Sequence, residues 1–163
     1  MACDTSDDCQ GVDCLPEATQ TGAGTFGCLV NGEPFVDNSG SFNCYYQFNN
    51  GNYYFNISGE FNSKVPLIIS LATNGLAISS NSSYQLLDES QGNFYAEVTF
   101  DNNPPTFLND NTTDNNNSGL ITIDQIDYTT NIVSGTFSFE IVDEENGKVY
   151  TISDGRFDSF FTQ

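Results

Sequence analysis

From Phe26 onward the chain alternates. Tyr53, Phe55, Ile57 and Gly59 stand between Tyr54, Asn56, Ser58 and Glu60. A period of two with one apolar side describes a strand lying on a core. Comparable runs recur at 26–30, 33–36, 41–48, 83–87 and 93–100, and 76–80 reads as a further short strand. The run 65–72 is nearly continuous in apolar residues and carries Pro66 near its start. It is a strand buried on both faces or a sheet edge. Asn31-Gly32 and Asn49-Asn50-Gly51 fall between runs, where hairpin turns need residues that accept positive φ.

The C-terminal pattern is the clearest. Strands are predicted at 120–126, 132–141, 149–153 and 156–161, with turns at 127–131, at 144–147 and at Asp154-Gly155. This is an antiparallel meander in which Phe137, Phe139, Phe157 and Phe160 point to one core face. No segment keeps a 3.6-residue apolar period over three turns, so little or no helix is expected. About nine to eleven short strands define an all-β fold, either an antiparallel β-sandwich or a partly open barrel. Residues 1–24 are polar, acidic and interrupted by Pro16, and read as an N-terminal tether; 25–163 form a single β-domain. Within it, 101–119 is a long Asn/Asp-rich loop, expected to be mobile or to bind calcium through Asp101, Asp110 and Asp114. Its spacing is not that of an EF-hand.

Composition agrees with β structure: 14 Phe, 8 Tyr, no Trp. The charge narrows the partners. Lys64, Lys148 and Arg156 face 22 acidic residues, for a net −19. Phosphate backbones need clustered Lys or Arg, so nucleic acid is excluded as a partner and direct adhesion to an anionic membrane is disfavoured. Acidity suits solubility, a saline medium or cation binding, and calcium is the one cofactor considered. Arg156 is expected to pair with Asp158 or Asp154 inside the domain, with a ligand-binding role as the alternative. There is no apolar run of 18 residues to span a bilayer.

All five cysteines, Cys3, Cys9, Cys14, Cys28 and Cys44, lie in the first 44 residues. With no histidine and no C-x-x-C pair, the sequence offers no pattern for zinc or thioredoxin-type chemistry, and disulfides in an oxidising compartment are the better reading. The expected bonds are Cys9–Cys14 as a local clasp and Cys28–Cys44 between strands. The odd cysteine is Cys3, which is expected to carry a lipid as the first residue of a mature lipoprotein. Asp4-Thr5-Ser6-Asp7-Asp8 behind it resembles the acidic export signal that sends lipoproteins of the Bacteroidota to the cell exterior.

Longer stretches carry a family resemblance. Leu15-Pro16-Glu17-Ala18-Thr19-Gln20-Thr21-Gly22 and Thr25-Phe26-Gly27-Cys28-Leu29-Val30-Asn31-Gly32 lie at one end. Gly119-Leu120-Ile121-Thr122-Ile123, Asn131-Ile132-Val133-Ser134-Gly135-Thr136-Phe137-Ser138-Phe139 and Asp154-Gly155-Arg156-Phe157-Asp158 lie at the other. Together they resemble a family of uncharacterised Bacteroidota outer-membrane lipoproteins of the Flavobacterium type. The resemblance implies an exported, lipid-anchored β-domain facing the cell exterior, and it brings no catalytic residues. Cys9, Cys14 and the extreme acidity depart from the family pattern, and a clasp would stiffen the tether.

No enzyme is expected. Without histidine there is no Ser-His-Asp or Cys-His arrangement, there is no Walker or Rossmann glycine pattern, and abundant carboxylates nominate no particular pair. The leading expectation is an accessory or interaction subunit of an outer-membrane complex. Its candidate interface is Tyr45, Tyr46, Tyr53 and Tyr54, since Tyr is enriched at binding hot spots. The alternatives are a carbohydrate- or calcium-dependent binding module, and a structural or adhesive filament subunit assembling by strand pairing.

Overall fold

The computed structural model describes residues 9–40, 43–62, 66–100 and 109–163. Among these residues a 3-10 turn, Gly11–Cys14, precedes eleven strands: β1 Thr25–Val30, β2 Glu33–Val36, β3 Asn43–Asn49, β4 Asn52–Glu60, β5 Ile68–Thr73, β6 Ser82–Leu86, β7 Phe94–Phe100, β8 Asn109–Thr112, β9 Gly119–Asp127, β10 Ile132–Asp143 and β11 Lys148–Phe160. The protein is all-β, as the alternation predicts. The strands form one sheet in the order β2-β1-β11-β10-β9-β6-β7-β5-β4-β3, with β8 added on β7. Neighbours are antiparallel except for one parallel pair, Leu86 with Phe94, between β6 and β7.

The sheet curls into a half-barrel around one core. Phe26, Phe35, Phe55, Phe94 and Phe100 are its largest fully buried side chains. The curl returns on itself just past β11. Tyr46 N–H donates to the Thr162 carbonyl (2.8 Å), and Thr162 N–H donates to that of Cys44 (3.1 Å). Asn31-Gly32 and Asn50-Gly51 have φ of 51° and 85°, and of 49° and 86°, as a tight hairpin turn of this hand requires. β5 lies between β4 and β7. Of the two readings of its apolar run, burial on both faces is the correct one.

Several expectations are corrected. Residues 76–80 form no strand; Ile78 lies in the core, and its N–H donates to the Tyr46 hydroxyl (3.2 Å). The two strands expected at 149–153 and 156–161 are one strand, β11. Asp154-Gly155 is a bulge in it, because pairing with both β1 and β10 shifts by one residue there. Phe160 is 57% exposed and Phe161 is buried instead. Counting by two from the buried Phe157 reaches Phe161 and skips Phe160.

The Asn/Asp-rich stretch is ordered structure over its described part. β8 pairs with β7 from Asn109 to Thr112. Thr113 then fills the seam where β6 and β7 diverge. Its hydroxyl donates to the Leu87 carbonyl (2.6 Å) and accepts from Ala96 N–H (3.0 Å). The strand is polar because its side chains bond the backbone: buried Asn111 accepts from Glu144 N–H (3.0 Å). Asp101 lies outside the described residues.

Candidate functional site

The cysteines divide. Cys9–Cys14 is a disulfide closing the 3-10 turn. Cys28 and Cys44 are not bonded; they are separate buried thiols. β1 and β3 are not neighbours in the sheet order, so the two residues do not face each other across a ladder. Burial pushes both thiols up, Cys44 to about 12. A thiol held protonated and out of solvent reacts poorly. Both should therefore resist an aqueous maleimide in the native protein and label fully in denaturant, as read by peptide mass mapping. Labelling of either under native conditions would mean that the core opens on the timescale of the reaction. Cys3 lies outside the described residues.

Residues 15–24 are not a free tether. Leu15 is buried, and the segment docks on one carboxylate. Asp158 Oδ2 accepts from the Thr19 hydroxyl (2.6 Å), Thr21 N–H (2.8 Å) and hydroxyl (3.2 Å) and Ala23 N–H (3.2 Å), while Oδ1 accepts from Gly22 N–H (2.8 Å). Burial by itself would raise this carboxyl. The hydrogen bonds from Thr19, Thr21, Gly22 and Ala23 outweigh that and hold it below its ordinary value. Asp158 is thus committed to the strap, and Arg156 does not pair with it. The guanidinium donates to two backbone carbonyls, of Asp154 (Nε, 3.3 Å) and Pro16 (Nη1, 3.4 Å).

The four tyrosines do not form one patch. Neighbours along a strand point to opposite faces, so Tyr46 and Tyr53 share the inner face with Phe48 and Phe55, while Tyr45 and Tyr54 lie half-buried outside. The inner pair opens an aromatic array at the rim of the half-barrel. Tyr46 stacks on Tyr53 (5.2 Å between centroids) and meets Tyr128 (5.9 Å) and Phe161 (6.1 Å), and Phe48 lies 4.8 Å from Tyr53. Tyr46 and Phe161 are buried anchors, whereas Phe48 (64%), Tyr128 (53%) and Tyr53 (38%) face solvent. Phe48 and Tyr128 were missed as candidates. The pairing of Phe48 with Tyr53 across the Asn-Gly turn was the available signal for the first; nothing local signals Tyr128.

The outer face of β4, β5, β7 and β8 carries an acidic trough of about 380 Å3. Ser70 and Thr99 are buried in its floor, and Asp37, Glu60, Glu97 and Asp110 line it. Burial, and then the charges of Asp110 and Glu89, raise the Glu97 carboxyl. Asp110 accepts from the Thr99 hydroxyl (2.6 Å). Asp114 instead caps its own turn, accepting from Asn116 N–H (2.7 Å) and Asn117 N–H (2.6 Å). Among the described residues no group of three acidic or cysteine side chains could hold one metal ion. Asp110 and Asp114 thus accept hydrogen bonds at separate places in the fold.

The class defined by these features is an all-β half-barrel domain with an aromatic rim and a strapped outer face. Residues 55–160 match a domain of unknown function, DUF6252. This chain belongs to that family. No curated protein and no solved structure matches it.

Proposed function

We propose that the protein is a non-enzymatic, lipid-anchored subunit of the cell surface that docks on a protein partner in the outer membrane through its aromatic rim. The observation that carries this reading is the rim itself. Three of the exposed large side chains, Phe48, Tyr53 and Tyr128, are aromatic and stand together on a buried aromatic base. Rigid aromatic groups present much contact area at little entropic cost, which is the character of a binding hot spot. The anchor is Cys3, with the acidic Asp4–Asp8 stretch as the exterior signal. Five residues lie between Cys3 and the clasp at Cys9, a reach of roughly 20 Å at most. The docked strap adds no slack, so the domain would sit close to the membrane that holds its partner.

Pull-down from detergent-solubilised outer membranes tests the docking. The wild-type chain should recover a membrane protein stoichiometrically, and Phe48→Ala with Tyr128→Ala should lower recovery at least about ten-fold with an unchanged melting curve. Equal recovery by the double variant would remove the rim from the interface. Filaments of the purified protein in electron micrographs would favour strand pairing instead. For the anchor, mass spectrometry of native protein decides: an unmodified Cys3 behind a retained upstream sequence would exclude it.

A further inference from the structure

The chain's one arginine has no carboxylate partner among the described residues, although the protein carries 22 acids. It lines an open cavity of about 430 Å3 on the outer face, at the β11 bulge. We propose that this cavity is a binding site for a neutral saccharide unit. The site is separate from the aromatic rim, and the proposal does not depend on the docking reading.

The bulge builds the site. One extra residue in β11 shifts the register between Ser153 and Arg156 against β1 and between Ile152 and Gly155 against β10. Bulges re-aim side chains and recur beside functional sites. Here Asp154 takes φ of +53° and stands exposed beside Arg156. Thr136 and Ser138 of β10 present exposed hydroxyls to the same cavity. At Gly155 a Cβ would fall well under 3.0 Å from the Phe137 ring. The ring lies on the core side of the sheet directly against this backbone, so Gly155 leaves only main chain between the core and the cavity. The strap supplies the remaining wall: Ala18 lines the cavity and the Pro16 carbonyl holds one guanidinium nitrogen. That nitrogen and Nε are held by backbone, so the fork is positioned while its other N–H donors remain available.

The lining selects the ligand by elimination. A guanidinium at the wall disfavours a cation. A net charge of −19 disfavours an anion. Charged and hydroxyl groups disfavour a purely apolar guest, which would leave them desolvated. A neutral polyol satisfies all of them: its hydroxyls accept from Arg156, donate to Asp154 and exchange bonds with Thr136 and Ser138. The volume lies within the ordinary range of small-ligand sites, about 300–1,000 Å3.

Protein-observed NMR titration tests this, with pentasaccharides of glucose, mannose, xylose and galactose as neutral probes, and acetate and trigalacturonate as anionic ones. At least one neutral probe should give saturable shifts at Ala18, Thr136, Ser138 and Asp154 to Arg156. Arg156→Gln should weaken that binding at least ten-fold. Ser138→Tyr, a strand-favouring residue at an exposed position, should block it without touching the core. The proposal is overturned by any of three results: no saturable shift at these residues with any neutral probe, undiminished binding in both folded variants, or saturation by the anionic probes alone.

Discussion

Asp158→Ala should release the N-terminal strap and cost the domain about 1.5–3 kcal/mol, the range for hydrogen bonds to a charged group. The carboxylate accepts from three backbone N–H groups and two hydroxyls at once. Alanine leaves all of those donors facing a nearly dry surface, because Asp158 is buried. Asp158→Asn keeps the volume but turns an NH2 group towards a ring of donors, so it should cost nearly as much. The acid dependence follows from linkage. The folded carboxyl lies below the ordinary 3.8, so it binds protons less readily folded than unfolded. Its contribution is complete above the unfolded value and is lost as pH falls through the folded one. Wild-type stability should therefore drop on acidification below about pH 4 more steeply than that of Asp158→Ala. Amide exchange at Thr21, Gly22 and Ala23 should be fast in the variant at neutral pH. Protection of those amides in Asp158→Ala, or identical acid limbs for the two proteins, would show that other contacts hold the strap.

The strap also shows where sequence reasoning loses its grip. Asp158 and Arg156 share the outer face of one strand two residues apart, and opposite charges so placed suggest a pair. The actual partner of Asp158 lies more than 130 residues away, in a segment that has no apolar period and so reads as linker. Hydrophobic patterning reports which side of an element meets the core; it is blind to a segment held by its backbone N–H groups. β8 and Thr113 are the same case. An Asn/Thr run without apolar residues becomes a strand because the β7 edge offers a ladder and the β6–β7 seam offers acceptors.

What patterning reads well is the parity of strands and the turns between them. β4 alternates in the sequence as it does in the fold, and both Asn-Gly turns fall where φ is positive. The same parity rule, applied to the tyrosines, would have separated Tyr45 and Tyr54 from Tyr46 and Tyr53 and led to Phe48. Asp154-Gly155 marks the boundary of the method. The pair carries a turn signal, and the local conformation is turn-like, with Asp154 at positive φ. Yet the strand continues, since β1 and β10 flank it on both sides and extend the ladder past the bulge. Whether such a pair reverses the chain or only kinks it is decided by neighbours distant in sequence.

The second large effect is expected at Gly59. A Cβ there would lie well under 3.0 Å from the ring carbons of Phe26. Phe26 is fully buried, with Phe137 at 5.2 Å and Phe35 at 6.5 Å between centroids, so its ring has little freedom to retreat. β1 and β4 lie near opposite ends of the strand order; this contact is where the curl brings them together. Gly59→Ala should therefore cost roughly 2–3 kcal/mol as an overpacking substitution, read from chemical denaturation. Its cause can be checked by compensation. Phe26→Leu alone should cost about 1–2 kcal/mol through the lost ring volume. In the double variant the smaller side chain makes room for the methyl group, so the combined cost should fall short of the sum by at least about 1 kcal/mol. Strict additivity would place the strain of Gly59→Ala elsewhere in β4 and leave the closure of the half-barrel independent of this pair. A shortfall would identify the Gly59–Phe26 contact as the point that fixes how tightly the sheet curls, and with it the spacing of the rim at its open end.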